Sequence, residues 1–145
     1  MAVKRALEVV LTPYIMVVHH DQRFLRPFDC AAVVREMRAS DDVRYVGFTS
    51  NQTLTYGEQM VSRYSLPLAA RRGARGLLLP LLYWYDRTHI CECAHYRRLV
   101  FGEGHRIRTG TFIEDTFGHA MLEDIKTNGL GAHRKYAAWL LIAQG

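Results

Sequence analysis

A stretch rich in arginine and glycine, residues 71–76, has the composition of a phosphate-binding turn. Glycines ahead of a helix let backbone N–H groups point at phosphate oxygens, and the helix dipole adds to that attraction. Arginine supplies charge-assisted and often bidentate contacts to phosphate. The candidate contacts are Arg71, Arg72, Gly73, Arg75 and Gly76. Composition alone favours a different interpretation, a basic surface turn that leads into a core element.

Histidine and cysteine alternate in residues 89–95, which read His-Ile-Cys-Glu-Cys-Ala-His. On a β-strand this spacing places all four side chains on one face, and thiolate and imidazole are zinc ligands. Alternate strand residues lie roughly 6.6 Å apart, so the outer two cannot reach one tetrahedral ion, and a metal site would need ligands from elsewhere, such as Cys30 or His119. We therefore predict buried cysteines flanked by partly exposed histidines, and no metal site. Residues 19–21, His-His-Asp, could hold a metal or a proton, or simply form a polar strand end.

Three fragments, in this order, resemble the GNAT-type N-acetyltransferases. Residues 25–29 with residues 33–38 are similar to the first strand and first helix of that family, in variants that also occur in acetyltransferase-like proteins of bacteriophages. Residues 71–78, read as entering an apolar helix, resemble its pyrophosphate-binding turn. Residues 94–101, Ala-His-Tyr-Arg-Arg-Leu-Val-Phe, are similar to its late segment, in which a tyrosine lies beside the cofactor sulfur. Residues 102–115 resemble its closing hairpin.

The resemblance implies transfer of an acetyl group from acetyl-CoA to an amine of a small molecule or a protein, or retention of the fold without the activity. It assigns Tyr96 as the acid for the departing thiolate. Glu58 is the candidate base for the amine, because it precedes the turn where such a carboxylate often lies. The same residues have structural interpretations: Tyr96 as a packed aromatic side chain, and Glu58 as a helix cap three residues after Thr55.

Net charge of +5 and a pI near 9.3 indicate an anionic partner. Nucleic acid would fit, but the phosphates of a nucleotide-like cofactor suit compact arginine clusters equally well. The alternative function is therefore a small basic structural or binding protein of a viral or phage assembly. The clustered arginines and the aromatic C-terminal segment with Tyr136 and Trp139 favour it. Three cysteines indicate free thiols and a reducing compartment. We expect the protein in the cytoplasm, or in the virion if a phage encodes it.

Length and composition predict one folded domain over residues 1–145, because 49% of the residues are hydrophobic and 23% charged. No apolar run approaches the roughly 20 residues of a membrane span, so we expect no membrane association. Helical and extended patterns intermix along the chain, which predicts a mixed α/β (α+β) fold. The resemblance adds a GNAT-like central mixed sheet flanked by helices.

The local patterns predict individual elements. A helix from Cys30 to about Arg38 should begin at Asp29, and residues 43–48 should form a strand. Residues 53–64 fit either a helix or a strand. In the first half of the chain we expect strands within 6–18, of which 6–11 could be helical, and a helix that starts near Gly76. In the second half we expect an extended segment over 88–101 and a strand over 106–113. A helix from 115 or 116 to 128 and a closing helix over 132–143 should follow.

Overall fold

A six-stranded mixed sheet organises the chain. The computed structural model describes residues 2–73, 75–102, 107 and 110–143. The strands are β1 (Tyr14–Val17), β2 (Tyr45–Phe48), β3 (Arg71–Gly73), β4 (Gly76–Pro80), β5 (His89–Glu92) and β6 (Ala138–Ala143). The helices are α1 (Ala2–Val9), α2 (Cys30–Ala39), α3 (Tyr56–Tyr64), α4 (Cys93–Phe101), α5 (His119–Asn128) and α6 (His133–Tyr136), with a π-helical turn (Glu114–Gly118) ahead of α5 and a 3-10 turn (Leu130–Ala132) ahead of α6. The predicted mixed α/β class is confirmed.

The strand order in the sheet is β1-β5-β2-β6-β4-β3. The centre is a parallel pair, β2 with β6, hydrogen-bonded from the Tyr45–Ala138 position to the Phe48–Leu141 position. Every other neighbouring pair is antiparallel. The resemblance implies parallel strands that splay apart around a cofactor, whereas this parallel pair stays closed over four register positions.

The two faces of the sheet bury different cores. Side chains alternate across a strand, so neighbouring residues of β2, Tyr45 and Val46, face opposite layers. On one side α2 packs Val33 and Met37 against the sheet in a small cluster. On the other side a larger cluster joins the sheet to α1, α3, α4 and α5.

The start of the chain is helical, where the sequence favours strands. Residues 2–9 form α1 with Leu7 buried, and the strand is confined to Tyr14–Val17 beyond Pro13. The ambiguous segment 53–64 resolves as a helix from Tyr56. The Thr55 side chain makes no capping bond to the backbone there, and it accepts a hydrogen bond from Gln59 Nε2 instead (3.0 Å).

The prediction of a helix from Gly76 is wrong. Residues 71–80 form the β3–β4 hairpin, in which Arg71 pairs with Leu78 and Gly73 with Gly76. Gly76 has φ of +149°, a value that favours glycine and supports the tight turn. Pro80 is tolerated because it is the last residue of β4.

Two further segments differ from expectation. The extended segment ends at Glu92 and α4 begins at Cys93, so 89–95 is no single strand. The closing helix is only four residues long, because Ala137 adopts a left-handed conformation (φ 47°) and the apolar residues after it form β6. Of the expected strand 106–113, residues 106, 108 and 109 lie outside the described residues; Gly110 is in a turn, Thr111 in a bend, and Ile113 is already helical.

Other predictions are confirmed. Helix α2 begins where Asp29 Oδ1 accepts a hydrogen bond from the Ala32 N–H (2.9 Å). Strand β2 lies within 43–48, and α5 ends at Asn128 before Gly129. None of the helices in the described part of the chain has the length and apolar character that a bilayer crossing requires.

Candidate functional site

Arg71, the first residue of the arginine–glycine stretch, is fully engaged by neighbouring side chains. One guanidinium nitrogen binds both carboxylate oxygens of Asp42 (2.9 Å each). The other binds Glu36 Oε1 (3.1 Å) and Ser40 Oγ (2.9 Å). The same guanidinium lies 5.1 Å from the ring centre of Trp139. Arg71 therefore joins α2, the loop before β2 and β6, and both of its terminal guanidinium nitrogens are bound to side chains of the protein.

Two further residues of the stretch, Gly73 and Arg75, have structural roles. Arg75 pairs with Asp29, and the Ala32 N–H together with that guanidinium lowers the pKa of Asp29. A Cβ on Gly73 would lie 3.0 Å from Leu78 Cγ, so this glycine accommodates hairpin packing. Arg72 is exposed.

The pyrophosphate of acetyl-CoA does not fit this stretch as the structure arranges it. The cavity beside Gly73 and Arg75 holds about 10 Å³, room for a single water. No helix follows Gly76 to offer its free N–H groups.

The two predicted catalytic residues occupy different environments. Tyr96, on α4, is fully buried, with its ring 5.3 Å from Trp84 and 5.6 Å from His89. Burial raises its pKa well above the usual value. Glu58 is exposed in the first turn of α3. The structure therefore places Tyr96 in the core and Glu58 on the surface.

His89 occupies the centre of the aromatic cluster that contains Tyr96. Its ring stacks on Tyr45 at 4.5 Å, and its Nδ1 bonds to the Arg87 carbonyl oxygen. Burial lowers the pKa of His89 to about 4. The imidazole is therefore neutral at pH 7, with the proton on Nδ1, and Nε2 carries a lone pair that has no partner in the described residues.

Buried polar atoms without hydrogen-bond partners are concentrated in one part of the described structure. Folded proteins pair nearly all such atoms, so a concentration of exceptions indicates either strain or a functional site. The atoms are Trp84 Nε1, Asp86 Oδ1, Arg87 Nε, His89 Nε2 and the Tyr96 hydroxyl.

Asp86 connects this buried cluster to solvent. Burial raises its pKa, while His19, whose Nε2 lies 3.9 Å from Asp86 Oδ1, has the opposite effect. The charge of Asp86 contributes to raising the pKa of both Tyr45 and Tyr96, so the carboxylate lies close enough to act on their hydroxyls. The Asp86 carboxylate therefore affects two buried tyrosines and also lines a surface pocket.

The pocket, which we call the acidic pocket, has a volume of about 300 Å³. It contains four carboxylates against one guanidinium, so its potential favours cations. Its lining residues are His19, Asp21, Gln22, Gln52, Asp86, Arg87, Phe112, Glu114 and Asp115.

The π-helical turn fixes Glu114 in the wall of this pocket. Glu114 Oε2 accepts the Asp86 N–H (3.1 Å), and the Glu114 carbonyl accepts the Tyr83 hydroxyl (2.7 Å). The turn fits closely against the residues after β4, because a Cβ on Gly118 would lie 2.8 Å from the Tyr83 ring and 2.9 Å from the Trp84 carbonyl oxygen.

Sequence reasoning missed Asp86 and Glu114, which belong to no motif and lie 28 positions apart. The His-His-Asp cluster at 19–21 was the single signal, since His19 and Asp21 both line the pocket. Among the residues that the structure describes, no group of three or more His, Cys, Asp or Glu side chains is placed to hold a metal ion.

Comparisons with protein-family models, with curated proteins and with solved structures give no match for this chain. The candidate site therefore rests on its own geometry.

Proposed function

We propose that the protein binds an amine-bearing small molecule or protein side chain in the acidic pocket, as the acceptor half of an N-acetyltransferase-like function. Asp86 carries the proposal: its carboxylate lines a carboxylate-rich pocket, and its buried Oδ1 has no hydrogen bond within the described residues, with His19 Nε2 3.9 Å away. An ammonium group has three donors and would pair with this carboxylate. Charge pairing would then offset the desolvation of Asp86.

Asp86 and His19 supply the proton chemistry that an amine acceptor needs. An ammonium must lose a proton before its nitrogen attacks a carbonyl, and a carboxylate of raised pKa accepts that proton more readily than an exposed aspartate does. The neighbouring His19 Nε2, at 3.9 Å, is placed to relay it towards solvent.

The acetyl-CoA half of the function is supported by the sequence resemblance. Because the arginine–glycine stretch does not fit the pyrophosphate, we derive no step through the cofactor. The protein is then either an acetyltransferase that holds its cofactor elsewhere or a member that keeps amine binding without the activity.

Calorimetric titration with spermidine, butylamine and a lysine-rich peptide tests the amine site. We expect saturable binding of at least one amine, weakened tenfold or more by Asp86→Asn. That loss is about 1.4 kcal/mol of binding free energy, within the range of a charge-assisted hydrogen bond. Asp41→Asn removes an exposed carboxylate outside the pocket and should bind like the wild type. Saturable binding by none of the three, or equal binding by Asp86→Asn, contradicts the proposal.

A separate titration with acetyl-CoA tests the enzyme half, using the Arg71→Ala, Arg72→Ala double variant for comparison. If the double variant binds acetyl-CoA more weakly than the wild type, the arginine–glycine stretch contributes to the cofactor site. Binding unaffected by that variant would locate the cofactor elsewhere. No binding at high ligand concentration would leave an amine-binding protein without acetyl transfer.

The second candidate function is the structural or binding protein of a viral or phage assembly, located in the particle. Large apolar side chains exposed on the surface favour it: Leu11 is 98% exposed, Leu25 80% and Phe112 67%. Sedimentation over a range of concentrations separates the candidates. Self-association that Leu11→Asp and Leu25→Asp abolish would favour assembly, and a monomer at all concentrations would favour the amine-binding proposal.

A further inference from the structure

A second pocket opens between α3 and α5, on the other side of Glu114 from the acidic pocket. We call it the tyrosine cleft. Its volume of about 340 Å³ falls in the range of small-molecule sites. Met60 and Leu122, both buried, contribute apolar surface, and three tyrosines, Tyr64, Tyr83 and Tyr85, line it.

The tyrosine rings are held in place by their surroundings. Tyr83 donates its hydroxyl proton to the Glu114 carbonyl, its ring meets the ring of His119 at 5.1 Å, and it lies 5.2 Å from Tyr85. The Tyr85 backbone is fixed as well, because its carbonyl accepts the Tyr45 hydroxyl (2.7 Å). Pre-positioned, half-buried aromatic rings are the surfaces on which planar ligands stack.

Two cations and two carboxylates line the tyrosine cleft, and among the described residues Arg63 is the one of these four whose charged group has no partner. Lys126 pairs with Glu123 (2.7 Å) and lies 5.7 Å from the Tyr64 ring centre. The Glu114 carboxylate is engaged by the Asp86 N–H. The Arg63 side chain is exposed and has neither a hydrogen bond nor an ion pair with any residue in the described ranges. Burial and then the charge of Glu114 raise the pKa of Tyr85, and the charge of Arg63 is near enough to lower it. Its guanidinium remains available for a bidentate contact with phosphate or carboxylate.

We propose that the tyrosine cleft binds a planar aromatic ligand with an anionic group, of the nucleotide class, its ring against the tyrosines and its anion on Arg63. Arg63 is the group that would hold the anion, since Lys126 is already paired with Glu123. This inference is independent of amine binding at Asp86.

Calorimetric titration with AMP, adenosine and inorganic phosphate tests the site on the full chain. We expect saturable binding of AMP, at least tenfold weaker binding of adenosine, and none of phosphate at the same concentrations, since ring and anion act together. Arg63→Gln should weaken AMP binding at least tenfold. Arg5→Gln removes another exposed helical arginine, outside both pockets, and should leave binding unchanged. No saturable binding of AMP, or equal binding by Arg63→Gln, overturns the proposal.

Two further measurements complete the test. AMP should shift the NMR signals of the three tyrosine rings, and shifts confined to residues 71–76 would overturn the assignment. A short oligoadenylate that binds the same tyrosines more tightly than AMP would identify the source of the ligand as single-stranded nucleic acid, whereas equal or weaker binding would identify a free nucleotide. Asp86→Asn should abolish amine binding and leave AMP binding intact, so each proposal fails independently of the other.

Discussion

The arginine–glycine stretch and the acidic pocket differ in whether their polar atoms already have partners. Arg71 uses both terminal guanidinium nitrogens on Asp42, Glu36 and Ser40. Asp86 keeps a buried oxygen without a hydrogen bond, beside other unpartnered atoms of the same cluster. The motif-like composition of residues 71–76 therefore marks a region that holds the fold together, whereas Asp86, with its unmet hydrogen bond, belongs to no motif. For this reason the proposed amine site is chosen by the pairing state of its polar atoms and not by residue type alone.

The largest expected change in stability concerns His89, whose Nε2 is one of the unpartnered atoms of the cluster. Its pKa of about 4 lies below the ordinary value of 6.5, so between these values the unfolded chain binds more protons than the folded one. The free energy of unfolding should fall by about 3 kcal/mol from this group as pH drops from 6.5 to 4. Burial lowers the pKa of His95 and His133 too, which steepens the loss in the same direction.

Urea unfolding at a series of pH values measures this loss. His89→Phe retains an aromatic ring for the stack on Tyr45 and should flatten the pH dependence, whereas His20→Gln, at an exposed position, should not. If His89→Phe does not fold, the pKa of His89 is measured directly from the NMR signals of its ring in the wild-type protein. A His89 that protonates near pH 6.5 in the folded protein would show that the cluster is not a dry interior.

The second-largest expected change in stability concerns Gly118, where the π-helical turn packs against the residues after β4. Gly118→Ala places a methyl group 2.9 Å from the Trp84 carbonyl, and backbone atoms there cannot move cheaply. We expect a loss of about 2 kcal/mol in the free energy of unfolding, by overpacking. Gly131→Ala is the matched control, because nothing lies within 4 Å of the added atom. Equal stability of the two variants would mean that the turn is free to shift and that Glu114 is loosely placed.

Within the arginine–glycine stretch we expect two neighbouring arginines to behave differently. Arg71→Ala should lower the free energy of unfolding by about 1.5 kcal/mol, because it removes the cation that binds Glu36 and Asp42 and uncovers Trp139. Arg72→Ala, at an exposed position, should change it by less than about 0.5 kcal/mol. Thermal unfolding of both variants measures the difference. The reverse order would remove the structural role that we assign to Arg71.

The smallest expected effect has the opposite sign. Burial raises the pKa of Asp86, so above its ordinary pKa the folded state bears the cost of ionising this group, and stability falls as pH rises through that range. Asp86→Asn should therefore raise the free energy of unfolding at pH 7, by less than the loss expected for Arg71→Ala, and the gain should vanish at acid pH where Asp86 is protonated. Asp41→Asn should show no such gain. A destabilised Asp86→Asn would make Asp86 a structural residue like Arg71.

Local signals in the sequence were sufficient for elements that local interactions determine. Helix α2 was predictable because Asp29 caps it through a bond only three residues away. The β3–β4 hairpin and β6 were not, because residues 77–79 and 139–142 are apolar runs that suit a buried helix or a central strand equally well. Their partners across the sheet decide between the two.

The candidate site was less predictable still. Its charges come from residues 19–21, from Asp86 and Arg87 after β4, and from Glu114 at the π-helical turn. No spacing in the sequence relates these segments, so the pocket exists only once the fold brings them together. Tyr96 was found through the family resemblance, and the structure places it against His89.

The position of β6 at the centre of the sheet has a consequence for synthesis on the ribosome. Strand β2 is made early, yet one of its two neighbours, β6, is completed only at residue 143. Until then β2 and β4 each lack a partner on the side that β6 will occupy, and their open edges are prone to pairing with other chains. The nascent protein must therefore pass through a long interval in which its central sheet is incomplete, and chaperones that cover strand edges should matter most in that interval.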